Sequence, residues 1–406
     1  MRITFLALGG LLLLCACEMA NSRFSRESPT RSQIKHVLTT RLSSLNKHGL
    51  SPFKVSVNEL GKQDLRVTYF VDELHGWAGG GGELFKTSDG GTTWQSVKVQ
   101  IPSGANIGKV LFPTQPEGWL ILEKTSPFVV NYRENHFWLM HTLDAGQTWQ
   151  LQYDRSDAKA TSLFVDDRGN GWLSGAQYDG IGRFSYLILY TADKGKNWED
   201  LSQNLKTSVA AKKSTTPEEL NDVIVGGFSF HSPKTTIITG HRDVFATDDE
   251  GKNWAQIASI EDRSDQQSAI RHFGTASDSM WFARSTDSTE GVHSGLAVEQ
   301  DDHSWGEYEL DGVYFADVVS LSGGEFLGCG YMKTIERSEE KSTLMTEGLV
   351  LYTSDKGRSW SIVYRNANVK SINSLASINL NHVRAVGDNG LILRLQHSPV
   401  EAPAAR

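Results

Sequence analysis

The sequence is short of cysteine, of basic charge and of long apolar runs. Three cysteines among 406 residues cannot form a disulfide framework. Forty basic and 48 acidic residues give a formal net charge of -8, which argues against nucleic acid as the main partner because such binding needs clustered Lys and Arg. The sequence contains no HExxH, CxxC, GxSxG or GxxxxGK[ST] pattern. It therefore predicts no catalytic residue, no metal and no cofactor.

The first 17 residues have the features of a leader. Arg2 is followed by an apolar run over 3–14, which is too short to span a bilayer. The sequence Leu-Cys-Ala-Cys at 14–17 resembles a bacterial lipobox. We therefore expect residues 1–16 to be a lipoprotein signal peptide and Cys17 to carry the lipid that anchors the chain. Glu18 at the next position favours the outer membrane, with the protein facing the periplasm. Ordinary secretion with cleavage near Ala16 or Ala20 is the alternative.

Residues 17–52 are polar and predict a tether that contains one short helix. Ile34, Leu38, Leu42 and Leu45 are spaced by 4, 4 and 3 residues, as expected for one apolar stripe of a helix. At the other end of the chain, residues 399–406 predict a disordered tail.

A tryptophan-terminated motif dominates residues 87–360. Its first copy reads Thr-Ser-Asp-Gly-Gly-Thr-Thr-Trp over 87–94. Five full copies place these Asp and Trp residues: Asp89 and Trp94, Asp144 and Trp149, Asp193 and Trp198, Asp249 and Trp254, Asp355 and Trp360. Including a degraded copy that ends at Trp305, the copies recur about every 50 residues, which is typical of a β-propeller.

The motif resembles the Asp-box, also called the bacterial neuraminidase repeat. Asp accepts backbone N–H bonds within a turn, and Gly supplies a positive φ. The terminal Trp then packs between neighbouring units. The resemblance implies a structural hairpin turn between the third and fourth strands of a blade, not an acid/base pair.

A second pattern, Gly-Trp, precedes several of the boxes and predicts the second strand of each unit. The resulting units are 63–100, 105–154, 160–202, 222–260, 268–310, 313–366 and 369–397. The last unit has no box and no fourth strand, whereas Phe53–Leu60 is an unassigned strand before the first unit. We therefore predict one all-β domain over 53–398, a seven-bladed β-propeller whose seventh blade is closed by the N-terminal strand.

Two strings, HGWAGGGGELFKTSDGGTTW and AVGDNGLILR, are similar to the photosystem II stability/assembly factor family. The resemblance covers about residues 63–397. It implies a seven-bladed propeller that acts as a non-enzymatic assembly factor and binds a protein partner. Basic residues on blade strands line the partner-binding patch in that family. Only Lys86 and Arg394 match that position here, so the photosynthetic role is not carried over.

Long inserts between second and third strands offer a binding surface, because long loops on a rigid scaffold often carry function. They cover 125–136, 177–185, 285–295 and 331–348. The candidate partner-binding residues on this face are Tyr132, Arg133, Asn135, His136, Tyr178, Asp179 and Arg183. Variable loops without a function are an equal alternative.

The leader and the propeller together suggest a non-enzymatic envelope lipoprotein that binds a protein. The partner would be an envelope complex during assembly, or a secreted toxin or hydrolase that the chain inhibits as an immunity protein does. The membrane would be reached through the lipid only. The alternative is a glycan-binding protein or a sialidase-like glycoside hydrolase, although the sequence lacks the Arg-Ile-Pro motif typical of sialidases.

Overall fold

A computed structural model describes twelve segments of the chain and the single residue 45. The segments are 35–42, 51–125, 134–178, 184–213, 228–230, 236–239, 243–260, 269–276, 279–288, 291–300, 304–337 and 342–398. Within these residues nearly all regular structure is β-strand, so the all-β propeller class is confirmed. The helix α1 (Ser202–Lys213) and a short 3-10 turn at Asp388–Gly390 interrupt the strands.

Five sheets have four strands each. Sheet 1 contains β3 (Val67–Phe70), β4 (Gly76–Gly80), β5 (Glu83–Thr87) and β6 (Gln95–Val97). Sheet 2 contains β7 (Asn106–Leu111), β8 (Gly118–Lys124), β9 (His136–Thr142) and β10 (Gln150–Ser156). Sheet 3 contains β11 (Ala158–Val165), β12 (Gly171–Tyr178), β13 (Phe184–Thr191) and β14 (Glu199–Asp200).

The other two four-stranded sheets lie near the carboxyl end of the chain. Sheet 5 contains β23 (Val313–Ser320), β24 (Phe326–Arg337), β25 (Ser342–Thr353) and β26 (Ser361–Asn366). Sheet 6 contains β2 (Phe53–Glu59), β27 (Ile372–Asn379), β28 (His382–Gly387) and β29 (Leu391–His397). Neighbouring strands within each of these sheets are antiparallel, as in a propeller blade.

Sheet 4 has nine strands. Its members are β15 (Phe228–Phe230), β16 (Thr236–Thr239), β17 (Asp243–Thr247), β18 (Ala255–Ile260), β1 (Lys35–Leu42), β22 (Trp305–Asp311), β21 (Gly291–Glu299), β20 (Ser279–Ser288) and β19 (Ala269–Ala276), in that spatial order. The two neighbours of β1 are β18 and β22, and it is parallel to both.

The prediction of seven blades is wrong, because the described strands form six sheets. The units expected at 222–260 and 268–310 are hydrogen-bonded into one sheet through β1. The short helix expected within 17–52 is also wrong where the structure describes that segment, because residues 35–42 form a strand. Helical spacing of apolar residues is a local signal, and pairing with two strand edges overrides it.

Sheet 6 joins the two ends of the propeller chain. Strand β2 pairs with β29 in antiparallel register from Phe53 opposite His397 to Glu59 opposite Leu391, so the expected pairing of this N-terminal segment with the last strand is observed. The ring also closes through side chains. The guanidinium of Arg384 donates from Nε to the Gly90 carbonyl of sheet 1 at 2.8 Å. Burial of Arg384, together with nearby Arg394, lowers its pKa to about 10.

The core lies between the sheets, as the two faces of each blade require. Trp77 of sheet 1 stacks on Phe112 of sheet 2 with 3.5 Å between ring centroids. Trp119 of sheet 2 meets Trp198 of sheet 3 edge to face at 6.3 Å. The tryptophans that give the sequence its aromatic character are thus mainly contacts between blades.

Candidate functional site

The five turns that resemble the Asp-box share one hydrogen-bond pattern. In the first copy, the Thr93 hydroxyl donates to Asp89 Oδ2 at 2.6 Å and the Thr93 amide donates to Asp89 Oδ1 at 2.9 Å. Thr87 Oγ1 donates to Asp89 Oδ1 at 2.8 Å and accepts the Gly91 amide at 2.9 Å. The copies at Asp144, Asp193, Asp249 and Asp355 repeat these contacts.

These contacts keep the box carboxylates ionised. The hydrogen bonds from Thr93 are the main reason that the pKa of Asp89 falls to about 2. The corresponding bonds from Thr148 lower the pKa of Asp144 to about 2. A carboxyl that stays ionised and accepts at least three hydrogen bonds is a poor general acid at neutral pH. The geometry therefore supports a structural use of these residues.

The backbone of each turn needs a left-handed conformation at two successive positions. In the third copy, Lys194 has φ of 63° and Gly195 has φ of 71°. Gly195 also lies directly against the indole of Trp119 in sheet 2, and a Cβ there would overlap with the ring. The box thus fixes its own hairpin and packs it on the preceding sheet.

The turns define two faces of the propeller. The Gly90 amide donates to the Leu74 carbonyl at 2.9 Å, and the Ala145 amide donates to the Pro116 carbonyl at 2.9 Å. Box turns therefore lie beside the turns that join first and second strands, and we call this side the box face. The hairpins between second and third strands end on the opposite side, which we call the loop face.

Only part of the predicted binding surface lies within the described residues. Tyr132, Arg133, Asp179 and Arg183 fall outside them, as does the predicted lipidation site Cys17. Asn135, His136 and Tyr178 are described and lie on the loop face.

These three residues belong to the junction of sheets 2 and 3. The Asp157 amide donates to the Asn135 carbonyl at 2.9 Å, and the Tyr178 amide donates to the Asp157 carbonyl at 2.8 Å. Asp157 itself has φ of 56°. Backbone hydrogen bonds therefore fix this junction. We call Asn135, His136, Asp157 and Tyr178 the sheet 2–3 cluster.

The His136 side chain extends this cluster towards solvent. Its Nε2 lies 2.6 Å from Asp154 Oδ1, and its ring stacks on Trp138 with centroids 4.0 Å apart. The side chain is 27% exposed and that of Asp154 is 47% exposed. A histidine that is hydrogen-bonded to a carboxylate and stacked on an aromatic ring suits a polar protein interface.

A second cluster on the loop face joins sheets 4 and 5, and we call it the Asp287 cluster. Tyr331 donates its hydroxyl to Asp287 Oδ2 at 2.5 Å, and Lys333 Nζ lies 2.6 Å from both oxygens of Asp287. Tyr314 stacks on Tyr331 in parallel at 4.8 Å. Burial opposes ionisation of Asp287, but the bonds from Lys333 and Tyr331 outweigh it and lower its pKa.

The sequence indicates the segments of the Asp287 cluster but not its members. The inserts at 285–295 and 331–348 are expected as loops, whereas most of both segments is strand. Strands β24 and β25 run in register out to Arg337 and Ser342, well beyond β23 and β26. Contact between Asp287 and Lys333 joins residues from different sheets, so no local pattern could have revealed it.

A chain of polar contacts links the first strands of the sheets. Asp317 Oδ1 lies 3.3 Å from His272 Nδ1, and its Oδ2 accepts the Ser374 hydroxyl at 3.2 Å. Ser374 Oγ in turn accepts the Thr68 amide at 3.4 Å. Asp317 lies at a β-bulge of β23, and its carboxylate contacts residues of both neighbouring sheets, 4 and 6. These groups bond to one another and hold the inner strands in place.

The described residues contain neither a metal-binding cluster nor a membrane-spanning helix. That part of the chain holds no group of three or more His, Cys, Asp or Glu side chains arranged to bind a metal ion. No helix in it is long and apolar enough to cross a bilayer.

Comparison with known proteins identifies structural relatives only. No protein-family model matches the chain, and none of the curated proteins compared with it is significantly similar. Among solved structures, YCF48 bound to D1 peptide is 18% identical with a TM-score of 0.55, covering 86% of this chain and 99% of the other. YCF48 from Cyanidioschyzon merolae is 15% identical with a TM-score of 0.53, covering 86% and 99%.

Enzymes share the same architecture. A polysaccharide lyase of family PL25, an ulvan lyase, is 10% identical with a TM-score of 0.51 and covers 84% of this chain and 96% of the other. A protein solved with a bound peptide and a polysaccharide lyase thus share this fold with the chain at low identity, and function depends on sites, not on fold. The chain is a β-propeller similar in fold to YCF48 and to polysaccharide lyase propellers.

Proposed function

We propose that this chain is a non-enzymatic, lipid-anchored scaffold of the bacterial envelope that binds a protein partner on its loop face. The observation that carries the proposal is the loop face itself. It presents the sheet 2–3 cluster and the Asp287 cluster, two sets of partly exposed aromatic and charged side chains held by rigid strands. Preorganised polar and aromatic groups of this kind are typical of protein-binding surfaces.

Two further points support a binding role. YCF48 has been seen with a D1 peptide, and it is a structural neighbour of this chain with a TM-score above 0.5. The box carboxylates could be mistaken for catalytic acids, but their oxygens accept hydrogen bonds from residues of their own turns. The partner would be an envelope protein during assembly, or a secreted toxin or hydrolase that the propeller inhibits.

The anchor is proposed from the sequence. Cys17 would carry the lipid, and the propeller would face the periplasm from the outer membrane. Growth of cells with a radiolabelled fatty acid would test this. We expect label in the wild-type chain and none in Cys17→Ser. Equal labelling of the two chains would contradict the anchor without affecting the binding proposal.

The loop face can be tested with photo-crosslinking side chains placed singly in the full chain in its host cell. Tyr178 and Tyr331 are the loop-face positions, and Leu143, which is 68% exposed on the box face, is the matched control. We expect one discrete crosslinked protein from both loop-face positions and none from Leu143. Crosslinks from Leu143 alone would place the interface on the box face and contradict the proposal. Binding to a glycan array without any crosslinked protein would favour the glycan alternative.

A further inference from the structure

The box face exposes three large apolar side chains. Leu143 is 68% exposed, Leu74 is 54% exposed and Ile378 is 40% exposed. Leu143 lies in the second Asp-box turn, whereas Leu74 and Ile378 lie where a first strand turns into a second strand. The other two exposed apolar side chains of the described residues, Val57 and Leu151, lie on the edge strands β2 and β10. Apolar groups within a polar surface are typical of contact with a protein or a membrane.

The three box-face residues belong to consecutive sheets. Sheets 6, 1 and 2 follow one another round the ring through the side-chain contacts described above. On the box face, Asn379 Nδ2 donates to Glu73 Oε1 at 2.8 Å, which joins a turn of sheet 6 to a turn of sheet 1. Ile378 directly precedes Asn379, and Leu74 directly follows Glu73. We call Leu74, Leu143 and Ile378 the box-face apolar set.

The charges near the box-face apolar set are of both signs. The side chains of Asp72 and Glu73 are 51% and 53% exposed. Sheets 1 and 6 also contain Lys86 and Arg394 on their third strands, and Arg394 Nη1 donates to Thr92 Oγ1 at 2.8 Å. Attraction to anionic lipid needs a cluster of basic side chains without such acidic neighbours. A membrane surface in contact with this sector should therefore be zwitterionic.

The N-terminal part of the chain enters the propeller from the box-face side. Strand β18 starts directly after the box residue Trp254, and β22 starts at Trp305, so both strands run from the box face towards the loop face. Strand β1 is parallel to both of them. Lys35 therefore lies at the end of β1 that is directed towards the box face.

Residues 17–34 separate the predicted lipid on Cys17 from β1. A chain of that length spans at most about 60 Å when it is fully extended, so a lipid inserted in a bilayer keeps the propeller near that bilayer. A tethered surface needs little affinity of its own, because the tether makes the contact intramolecular. Entry of the chain from the box-face side favours this face over the loop face for the contact.

We propose that the box face of sheets 6, 1 and 2 rests on a zwitterionic membrane surface, with the box-face apolar set inserted among the lipid headgroups. The inference rests on the lipid anchor proposed above and adds the orientation of the propeller on the membrane. In this orientation the loop face, with the sheet 2–3 cluster and the Asp287 cluster, is directed away from the bilayer and is open to a partner.

The test uses the full lipidated chain in phosphatidylcholine and phosphatidylethanolamine vesicles whose headgroups carry a nitroxide quencher. A fluorescent thiol label is attached to Leu143→Cys. Val57→Cys is the matched control, because Val57 is exposed on the edge strand β2. Cys329 is fully buried, so the wild-type chain should take up no label. We expect loss of fluorescence for Leu143→Cys and none for Val57→Cys, since collisional quenching needs contact with the lipid.

A pair of acidic substitutions tests the apolar contact itself. Leu74→Glu combined with Leu143→Glu should keep the unfolding midpoint of the wild type, because both side chains are exposed. In that variant, a label on Ile378→Cys should lose most of its quenching, because carboxylates disfavour insertion among headgroups. Val57→Glu should leave the quenching of the same label unchanged.

Failure of the anchor and failure of the orientation give different results. A chain that does not float with the vesicles on a density gradient would contradict the anchor and the orientation together. A chain that floats but shows equal quenching for Leu143→Cys and Val57→Cys would overturn the orientation alone. Full quenching of Ile378→Cys in the double-Glu variant, or quenching that requires anionic lipid, would overturn the role of the box-face apolar set. A discrete protein crosslinked at Leu143 in cells would make a protein, not the bilayer, the occupant of this face.

Discussion

Phe53 offers a direct test of how the propeller is closed. Its side chain is 8% exposed and lies in a core cluster with residues of sheets 5 and 6. It meets the ring of Tyr352 edge to face at 5.4 Å and the ring of His397 at 5.6 Å. Truncation of a buried Phe to Ala typically lowers stability by about 3–5 kcal/mol. Because Phe53 begins its strand at the edge of the cluster, we expect the lower end, about 3 kcal/mol, for Phe53→Ala.

Val57 provides the matched control on the same strand. It is 49% exposed, so Val57→Ala should change the free energy of unfolding by no more than about 0.5 kcal/mol. The assay is urea unfolding followed by tryptophan fluorescence. With a slope of about 3 kcal/mol/M, a loss of about 3 kcal/mol moves the midpoint down by about 1 M. Equal midpoints for Phe53→Ala and Val57→Ala would refute the view that β2 closes the ring energetically.

Deletion of residues 53–59 extends the same reasoning to the whole fold. The deletion exposes the edge of β29 along seven aligned residue pairs. If the sheets support one another around a closed ring, every sheet should lose amide protection together. Loss of protection confined to sheet 6 would show that the ring tolerates an opening.

Three other changes test local features of the fold. The pKa of Asp144 is about 2, below its ordinary value of 3.8, so its ionised form stabilises the folded state. That stabilisation should be complete above about pH 4 and lost as the pH falls towards 2. In a plot of urea midpoint against pH, Asp144→Ala should therefore reduce the decline between about pH 4 and 2. Ala145 has φ of 57°, and Ala145→Gly should raise stability by up to about 1 kcal/mol, whereas Ala160→Gly within a buried strand should lower it in the same urea titration. Arg384→Lys loses the forked donor to the Gly90 carbonyl and should lower the free energy of unfolding by about 1–3 kcal/mol, and an unchanged melting curve would contradict that role.

The Asp-box turns could be predicted in detail because they are local. The hydrogen bonds that Asp89 and Thr87 make in the first copy all lie within Thr87–Thr93, so seven residues contain the core of the turn. The Gly-Trp strands are similarly visible, since Gly and Trp have strong and distinct packing roles. The pairing of β2 with β29 could also be predicted from the sequence, because the last unit (369–397) had no fourth strand and the strand at Phe53–Leu60 belonged to no unit.

Helix α1 shows where local signals were weaker. The sequence pattern predicts no helix after Asp200, yet residues 202–213 form one. Leu205 is fully buried, and Asn204 donates to the Gly251 carbonyl at 3.1 Å. The helix is thus tied to the fourth Asp-box turn, and its apolar periodicity is too short to indicate it from sequence alone.

The sequence by itself determined the repeat, the turn chemistry and the propeller class, because each depends on contacts within about 50 residues and on residue types with one dominant use. Only the tertiary structure decided the number of sheets, since β1 pairs with β18 and β22 across more than 200 positions of the chain. It also decided the candidate sites. Asp287 meets Lys333 only because the ring brings distant strands together, and a contact between side chains of different sheets leaves no local pattern in the residues themselves.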